Sequence, residues 1–455
     1  MRLKKVKELK KVLSLIFTCV FLFSLFPGRG HLEGNQRSLN LQDRTDHMGT
    51  LTALLYGSWP NLFDHWRYTL TAFQLFSLWL GLYFVFRKVN LRTKIAMPVV
   101  VGLIYVSTIF ASQLVRDASL LAFATLGVGL LYESLRRELW ARHFLELTGL
   151  VVLFISATFK PLYGIILGVL AASILIFRLK SVSKRVALGL LIAVSIGIGP
   201  HFVDKKSGEL IGLIQVFPEK QPIIYDLASS YCWGSSDKIK NDAAKGLDLI
   251  LRQDYPRKSV CASLNPITWD HLHTDYLEPW KYARPLINPL GPETKDLVAD
   301  LRETWQFMIR NNLIDWFQVR LVFLGSTLTM TNTLTYQDDS RLNTKHLDSL
   351  RASSYKLLVL PYRILDKFRF TSLGFAMLII SLIFLKATEL KTRRLFNKSS
   401  QYRIIIPPTI MILSSLFLTL IGFVASNGRY ILPYIILSYI YLLHGLLEEP
   451  SREVL

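Results

Sequence analysis

The chain has 455 residues, 51% of them hydrophobic and only 19% charged, with a mean hydropathy of +0.33. Soluble domains carry about 25% charged residues, so this composition excludes an intrinsically disordered chain and argues against a string of ordinary soluble domains. The net charge of +20, from 53 Lys+Arg against 33 Asp+Glu, leaves two readings open: a nucleic-acid binder, or a membrane protein with its basic loops on one side.

A helix needs about 20 apolar residues to cross the ~30 Å hydrocarbon layer. In chain order, apolar blocks predict spans at 12–27, 69–86, 95–115, 118–132, 145–158, 162–177, 186–203, 370–385, 404–426 and 431–447, several completed by flanking residues. The expected fold is therefore an all-α polytopic membrane protein with about ten transmembrane helices. Arg2, Lys4, Lys5, Lys7, Lys10 and Lys11 precede the first block. Alternate loops hold Arg87, Lys88, Arg92 and Lys94; Arg136, Arg137 and Arg142; Arg178, Lys180, Lys184 and Arg185; and Lys386 through Arg403. The short loops between them carry one basic residue each: Arg116, Lys160 and Arg429. This alternation predicts a plasma or inner membrane protein with both termini cytoplasmic. No small-x-small cleavage site follows the first block, so it reads as an uncleaved anchor.

Three domains follow. Residues 1–203 form an N-terminal membrane bundle whose first outer loop is 28–68. Residues 204–369 form a mainly helical extracytoplasmic domain, and 370–455 a C-terminal bundle with a cytoplasmic tail. Within the outer domain, 313–333 is the best candidate for a further span. Its uncharged apolar run, 321–330, is too short, and Asp315 and Arg320 interrupt it. It is expected as an amphipathic surface helix, and 355–370 as a helix lying on the headgroups. Cys232 and Cys261 both fall in this domain, where oxidising conditions permit a disulfide; two free thiols are the alternative. Gly127-Val128-Gly129 reads as close helix packing. There is no internal repeat, phosphate-binding loop or dinucleotide fingerprint.

Ionisable groups collect at the outer mouths of the spans, which points to chemistry at the outer membrane face. A proton- or ion-coupled transporter places them at the midplane instead. In the first outer loop stand Asp46-His47 and Asp64. Asp46 is a candidate general base towards an acceptor hydroxyl, or else a helix cap. Arg116-Asp117 opens the fourth span, read as an N-cap with a local ion pair or as part of a site. Lys160 runs against the positive-inside trend and calls for an anionic partner, either a lipid headgroup or a substrate phosphate. Arg429-Tyr430 sets a second cation at the outer face, with a planar fork suited to phosphate oxygens. Asp270, His271 and His273 are a weak candidate set for a divalent cation, because no third ligand is fixed by spacing.

In order and context these residues resemble the GT-C-type membrane glycosyltransferases, such as protein O-mannosyltransferases and lipid A aminoarabinose transferases. The resemblance rests on Asp46 through Gly57 and Pro60, on the SATFKPLYG turn around Lys160, on Arg429-Tyr430-Ile431-Leu432-Pro433, and on Asp117 heading a span. It departs at Asp46-His47, where the family carries an adjacent Asp-Glu pair. It implies transfer of a sugar from a polyprenyl-phosphate donor to a glycan, lipid or protein acceptor, with catalytic Asp46, Asp117 and Asp64. His47, Lys160, Arg116, Arg429 and Tyr430 would bind substrate. A polysaccharide polymerase or ligase working through Arg320 and His271 is the second reading, and a non-enzymatic exporter or envelope scaffold the third.

On this map the cytoplasmic side holds 24 Lys+Arg against 8 Asp+Glu and the outer side 29 against 25. The excess charge is thus a topology signal facing anionic lipid, and nucleic acid is not an expected partner.

Overall fold

The computed structural model describes residues 66–87, 96–112, 116–160, 164–176, 182–210, 220–250, 260–261, 292–329, 360–361, 363–365, 367–370, 372–392, 398–421 and 428–447. Among these, every regular element is an α-helix. The first group comprises α1 (Trp66–Phe86), α2 (Ala96–Ala111), α3 (Arg116–Ser134), α4 (Leu139–Thr158), α5 (Gly164–Ile176) and α6 (Val182–Leu210). A second comprises α7 (Lys220–Trp233), α8 (Asp237–Ile250), α9 (Pro292–Asn311) and α10 (Leu313–Thr329). The third is α11 (Leu373–Thr392), α12 (Lys398–Ile421) and α13 (Gly428–Leu447).

Three stretches are long and apolar enough to cross a membrane: Thr69–Phe86, Leu139–Thr158 and Val186–Leu210. Val99–Ala111, Gly164–Leu175, Leu373–Lys386, Ile406–Phe417 and Ile431–Leu446 are shorter apolar helices. The helical class is as expected, while the span count is met only in part. The expected span at 12–27 lies outside the described residues. The one at 118–132 is α3, which is absent from both sets. Its apolar middle is flanked by Arg116 and Asp117 at one end and Glu133 and Ser134 at the other. Between Asp117 and Ser134 every residue except Leu126 and Tyr132 is buried among other helices. A helix walled by protein needs no apolar circumference, and small residues on it let neighbours close in. A Cβ on Gly129 would stand 2.5 Å from the Gly81 carbonyl oxygen, and one on Gly149 3.0 Å from that of Gly127. The α1–α3 and α3–α4 contacts are thus backbone against backbone, as the Gly127–Gly129 pair leads one to expect.

The outward faces have the opposite character. On α6, Val186, Leu190, Val194, Ile198 and Phe202 recur every four residues and all are exposed; on α4, Trp140, Phe144, Leu147, Val151 and Ile155 recur every three or four and are exposed too. Long unbroken stripes of bulky exposed apolar side chains are rare on soluble monomers and call for an apolar surrounding.

The chain segments 66–210 and 373–447, separate in sequence, share one hydrophobic core that includes Phe110, Leu121, Leu167 and Leu437. Helix α13 packs on α3 and α2, and α12 on α5. The two membrane bundles expected from the sequence therefore form one. Helix α6 also crosses the expected boundary at 204 unbroken. Its 29 residues extend about 43 Å at 1.5 Å each. That exceeds the ~30 Å thickness of a hydrocarbon core, and its last turns carry Asp204, Lys205, Lys206 and Glu209.

The second group builds its own core from Tyr225, Leu227, Ile239, Leu301, Met308, Trp316 and Phe323. Helix α8 is amphipathic, with Ile239, Ala243 and Leu247 inward at i, i+4, i+8. The Ser236 hydroxyl caps it by accepting the Ile239 N–H at 3.4 Å and donates in turn to Asp315, in the first turn of α10. Cys232 and Cys261 are joined in a disulfide with Cα atoms 5.4 Å apart. Helix α10 presents Trp316, Val319 and Phe323 to this core and packs against α11 and α12 as well. Its other face exposes Leu313, Ile314, Phe317, Leu321 and Val322, the amphipathic character expected for it. Near residue 369 a left-handed turn (Arg369 φ 57°) ends a short helical stretch whose Leu360, Ile364 and Phe368 are exposed. Tyr439 then fixes the chain, stacking on Phe370 and donating to its carbonyl at 3.0 Å.

Candidate functional site at one end of the bundle

Asp117 stands in the first turn of α3 and is 1% exposed. Across from it, α4 ends at Thr158 and the chain turns, the Lys160 N–H donating to the Ala157 carbonyl at 3.2 Å. Pro161 follows and cannot extend that helix's hydrogen bonding. The turn brings Lys160 Nζ to 2.5 Å from Asp117 Oδ1, at a position where the lysine side chain keeps only 11% of its exposure. The wall beside the pair is aromatic. Phe159 stacks on Phe123 with centroids 5.5 Å apart, and Phe73 meets Phe123 edge-on at 5.4 Å. One layer away, Gln74 Nε2 donates to Ser119 Oγ at 2.5 Å. From α13, the buried Tyr434 brings its hydroxyl into electrostatic range of Asp117.

The structure thus unites Asp117 and Lys160 from the expected set and adds Tyr434 to them. Arg429 and Tyr430 lie in the first turn of α13. The Arg429 backbone is five residues from Tyr434, about 7.5 Å along the axis. Arg116 opens α3. Asp46, His47, Asp64, Asp270, His271 and His273 lie outside the described residues. Lys160 was expected to face a lipid headgroup or a substrate phosphate; its close partner is Asp117. A cation nearly withdrawn from water needs a carboxylate within contact distance, and the protein supplies it. Among the described residues no group of three or more His, Cys, Asp or Glu side chains could hold a metal ion.

No family model, curated protein or solved structure matches this chain.

Two charge clusters escaped the sequence reading. At the opposite end of the bundle, Glu133 is 1% exposed and holds Arg87, Arg137 (2.8 Å) and Arg136 (3.8 Å). Arg136 also donates to the Phe84 carbonyl at 2.7 Å and stands 3.3 Å from His444 Nε2. The signal was present, since Glu133 precedes Arg136 and Arg137 by three and four residues. In the second group, Asp226 accepts from Trp305 Nε1 (2.5 Å) and Trp316 Nε1 (2.8 Å) and pairs with Arg320 at 3.0 Å. Arg320 is 2% exposed and lies against the Trp316 and Phe323 rings. The arginine suggested for solvent-facing chemistry is a core strut. Burial likewise pushes the neighbouring Tyr225 hydroxyl well up, although Arg320 acts against it.

Proposed function

We propose that this chain is a membrane glycosyltransferase that moves a sugar from a polyprenyl-phosphate donor to an envelope acceptor at the outer face. The observation that carries the reading is the nearly buried Lys160, held by Asp117 in the first turn of α3. A polyprenyl phosphate is half lipid and half anion. It needs apolar helix surface for its chain and a preset cation at the mouth for its phosphate.

In the proposed reaction the acceptor oxygen bonds to the anomeric carbon as the bond from that carbon to the phosphate oxygen breaks. The acceptor proton passes to Asp46. Polyprenyl phosphate leaves with an additional negative charge, which Lys160 and Arg429 stabilise. Asp117 is then a positioning residue that fixes the ammonium group rather than a base.

The orientation belongs to the same proposal: a multi-pass cell-membrane protein with both termini cytoplasmic and the Lys160 end outside. The basic loops at 87–94, 136–142, 178–185 and 386–403 support it. So does the disulfide in the helical domain that α6 leads into, since such bonds persist in oxidising compartments.

The test is transfer of labelled sugar from polyprenyl-phosphate donors in membranes containing the protein. Lys160→Met is expected to cut transfer by about 10²–10³-fold, the usual loss for one preorganised charge donor. Asp46→Asn is expected to do the same. Unchanged rates in both variants at equal protein level would overturn the mechanism. Absence of transfer from every donor tried would leave the envelope scaffold as the better account.

A further inference from the structure

A groove of about 590 Å³ runs between α4 and α6, along the part of α4 that precedes the Lys160 turn. Its mouth is at the other end of α4, where Arg142 Nε donates to Glu146 Oε1 at 3.0 Å and His143 Nδ1 stands 3.5 Å from Glu146 Oε2. Below this polar rim its lining is apolar apart from Ser195. Leu150, Val151 and Phe154 come from α4 and Leu188 and Leu191 from α6. The floor is made of the buried Leu175, Ile192 and Ile196. At the far end the Phe154 ring lies over Gly199, so close that a Cβ there would stand 2.9 Å from it.

Three features of this groove select an occupant. Its wall from Arg142 to Phe154 covers thirteen residues of helix, a rise of about 18 Å. One leaflet of hydrocarbon is about half of ~30 Å, so the groove spans one acyl chain from headgroup to midplane. Its volume falls in the ~300–1,000 Å³ range of small-molecule sites. The rim is polar and bears cations: Arg142 and His143 stand beside Glu146, and the exposed Lys184 lies one turn before the lining residue Leu188.

We propose that this groove is a binding site for an anionic phospholipid of the leaflet at the Arg142 end. One acyl chain lies between α4 and α6. The phosphate is held by Arg142 and His143, which Glu146 orients. The lipid fills a seam between two membrane helices and so joins them. This inference rests on the membrane reading alone and stands whether or not the protein transfers a sugar.

The test uses the full chain, purified in neutral detergent, stripped of lipid and titrated with short-chain phosphatidylglycerol or phosphatidylcholine. Bound lipid is counted by native mass spectrometry and the unfolding midpoint is followed. Phosphatidylglycerol is expected to bind saturably and raise the midpoint, with phosphatidylcholine much weaker. Arg142→Gln/His143→Gln is expected to weaken phosphatidylglycerol about tenfold or more, the scale of a lost charge-assisted contact. Ser195→Trp, which fills the groove, should abolish binding. Should that variant fail to assemble, the Arg142/His143 variant, altered at the rim of the groove, decides alone. Equal response to the two lipids, undiminished binding in the rim variant, or capture of polyprenyl phosphate instead would overturn the proposal.

Discussion

The Asp117–Lys160 pair shows how one contact can serve both structure and chemistry. Removing a single member of a buried pair costs about 3–5 kcal/mol, because the other charge keeps its desolvation penalty. Asp117→Asn should therefore lower the unfolding midpoint sharply, and adding Lys160→Met should recover most of the loss. Failure of the double variant to recover would show that the two side chains are not energetically coupled. Asp242 supplies a test of pH dependence. Burial pushes its carboxyl up, but hydrogen bonds from Lys245 and Asn312, both at 2.9 Å, more than offset this and hold it below the ordinary 3.8. A depressed folded-state pKa means stability present above 3.8 and lost as the pH falls through the folded value. Asp242→Asn should weaken the helical domain at neutral pH, with variant and parent converging in acid, as read by tryptophan fluorescence.

At the scale of the element, the helices meet where they can lose side chains. Gly81 and Gly129 put α1 against α3 with no room for a Cβ, while a Cβ on Gly102 of α2 would meet nothing within 4 Å. Gly129→Val is expected to destabilise by at least ~1–3 kcal/mol, the usual cost of overpacking. Gly102→Ala should be near neutral. Equal midpoints for the two variants in detergent would refute the account of α3 as the packed centre. The same end of α3 is also tied by charge. Glu133 there sits among Arg87, Arg136 and Arg137, from α3 and the ends adjoining α1 and α4. A single carboxylate holding three guanidinium groups makes it the point where those ends separate first if it is neutralised.

For the whole molecule, the arrangement joins an apolar helical bundle to a second helical domain through α6 and α10. The disulfide closes a loop with a sequence separation of 29 residues within that domain. Replacing Cys232 and Cys261 by Ala is expected to cost about 2–4 kcal/mol, visible as a lower midpoint that reductant no longer shifts. Orientation can be read on intact cells of a cysteine-free background. An impermeant maleimide should label Lys205→Cys, in the last turns of α6, and spare Ser400→Cys, in the first turn of α12 within the basic 386–403 stretch. The reverse pattern would invert the proposed topology and with it the assignment of the Lys160 end.

Sequence alone was sufficient for the helical class, for most apolar stretches and for the close approach at Gly127–Gly129. These follow from local periodicity and from residue size, both of which act over one or two turns. The disulfide partners were legible because only two cysteines share that domain. Tertiary structure decided matters of long-range proximity. The core status of α3, the merging of segments 66–210 and 373–447, the Lys160 counter-charge 43 residues away and the interior place of Arg320 are all set by which helix ends meet. That is a property of packing, since a lysine reads the same in sequence whether it faces a phosphate or the aspartate that compensates it.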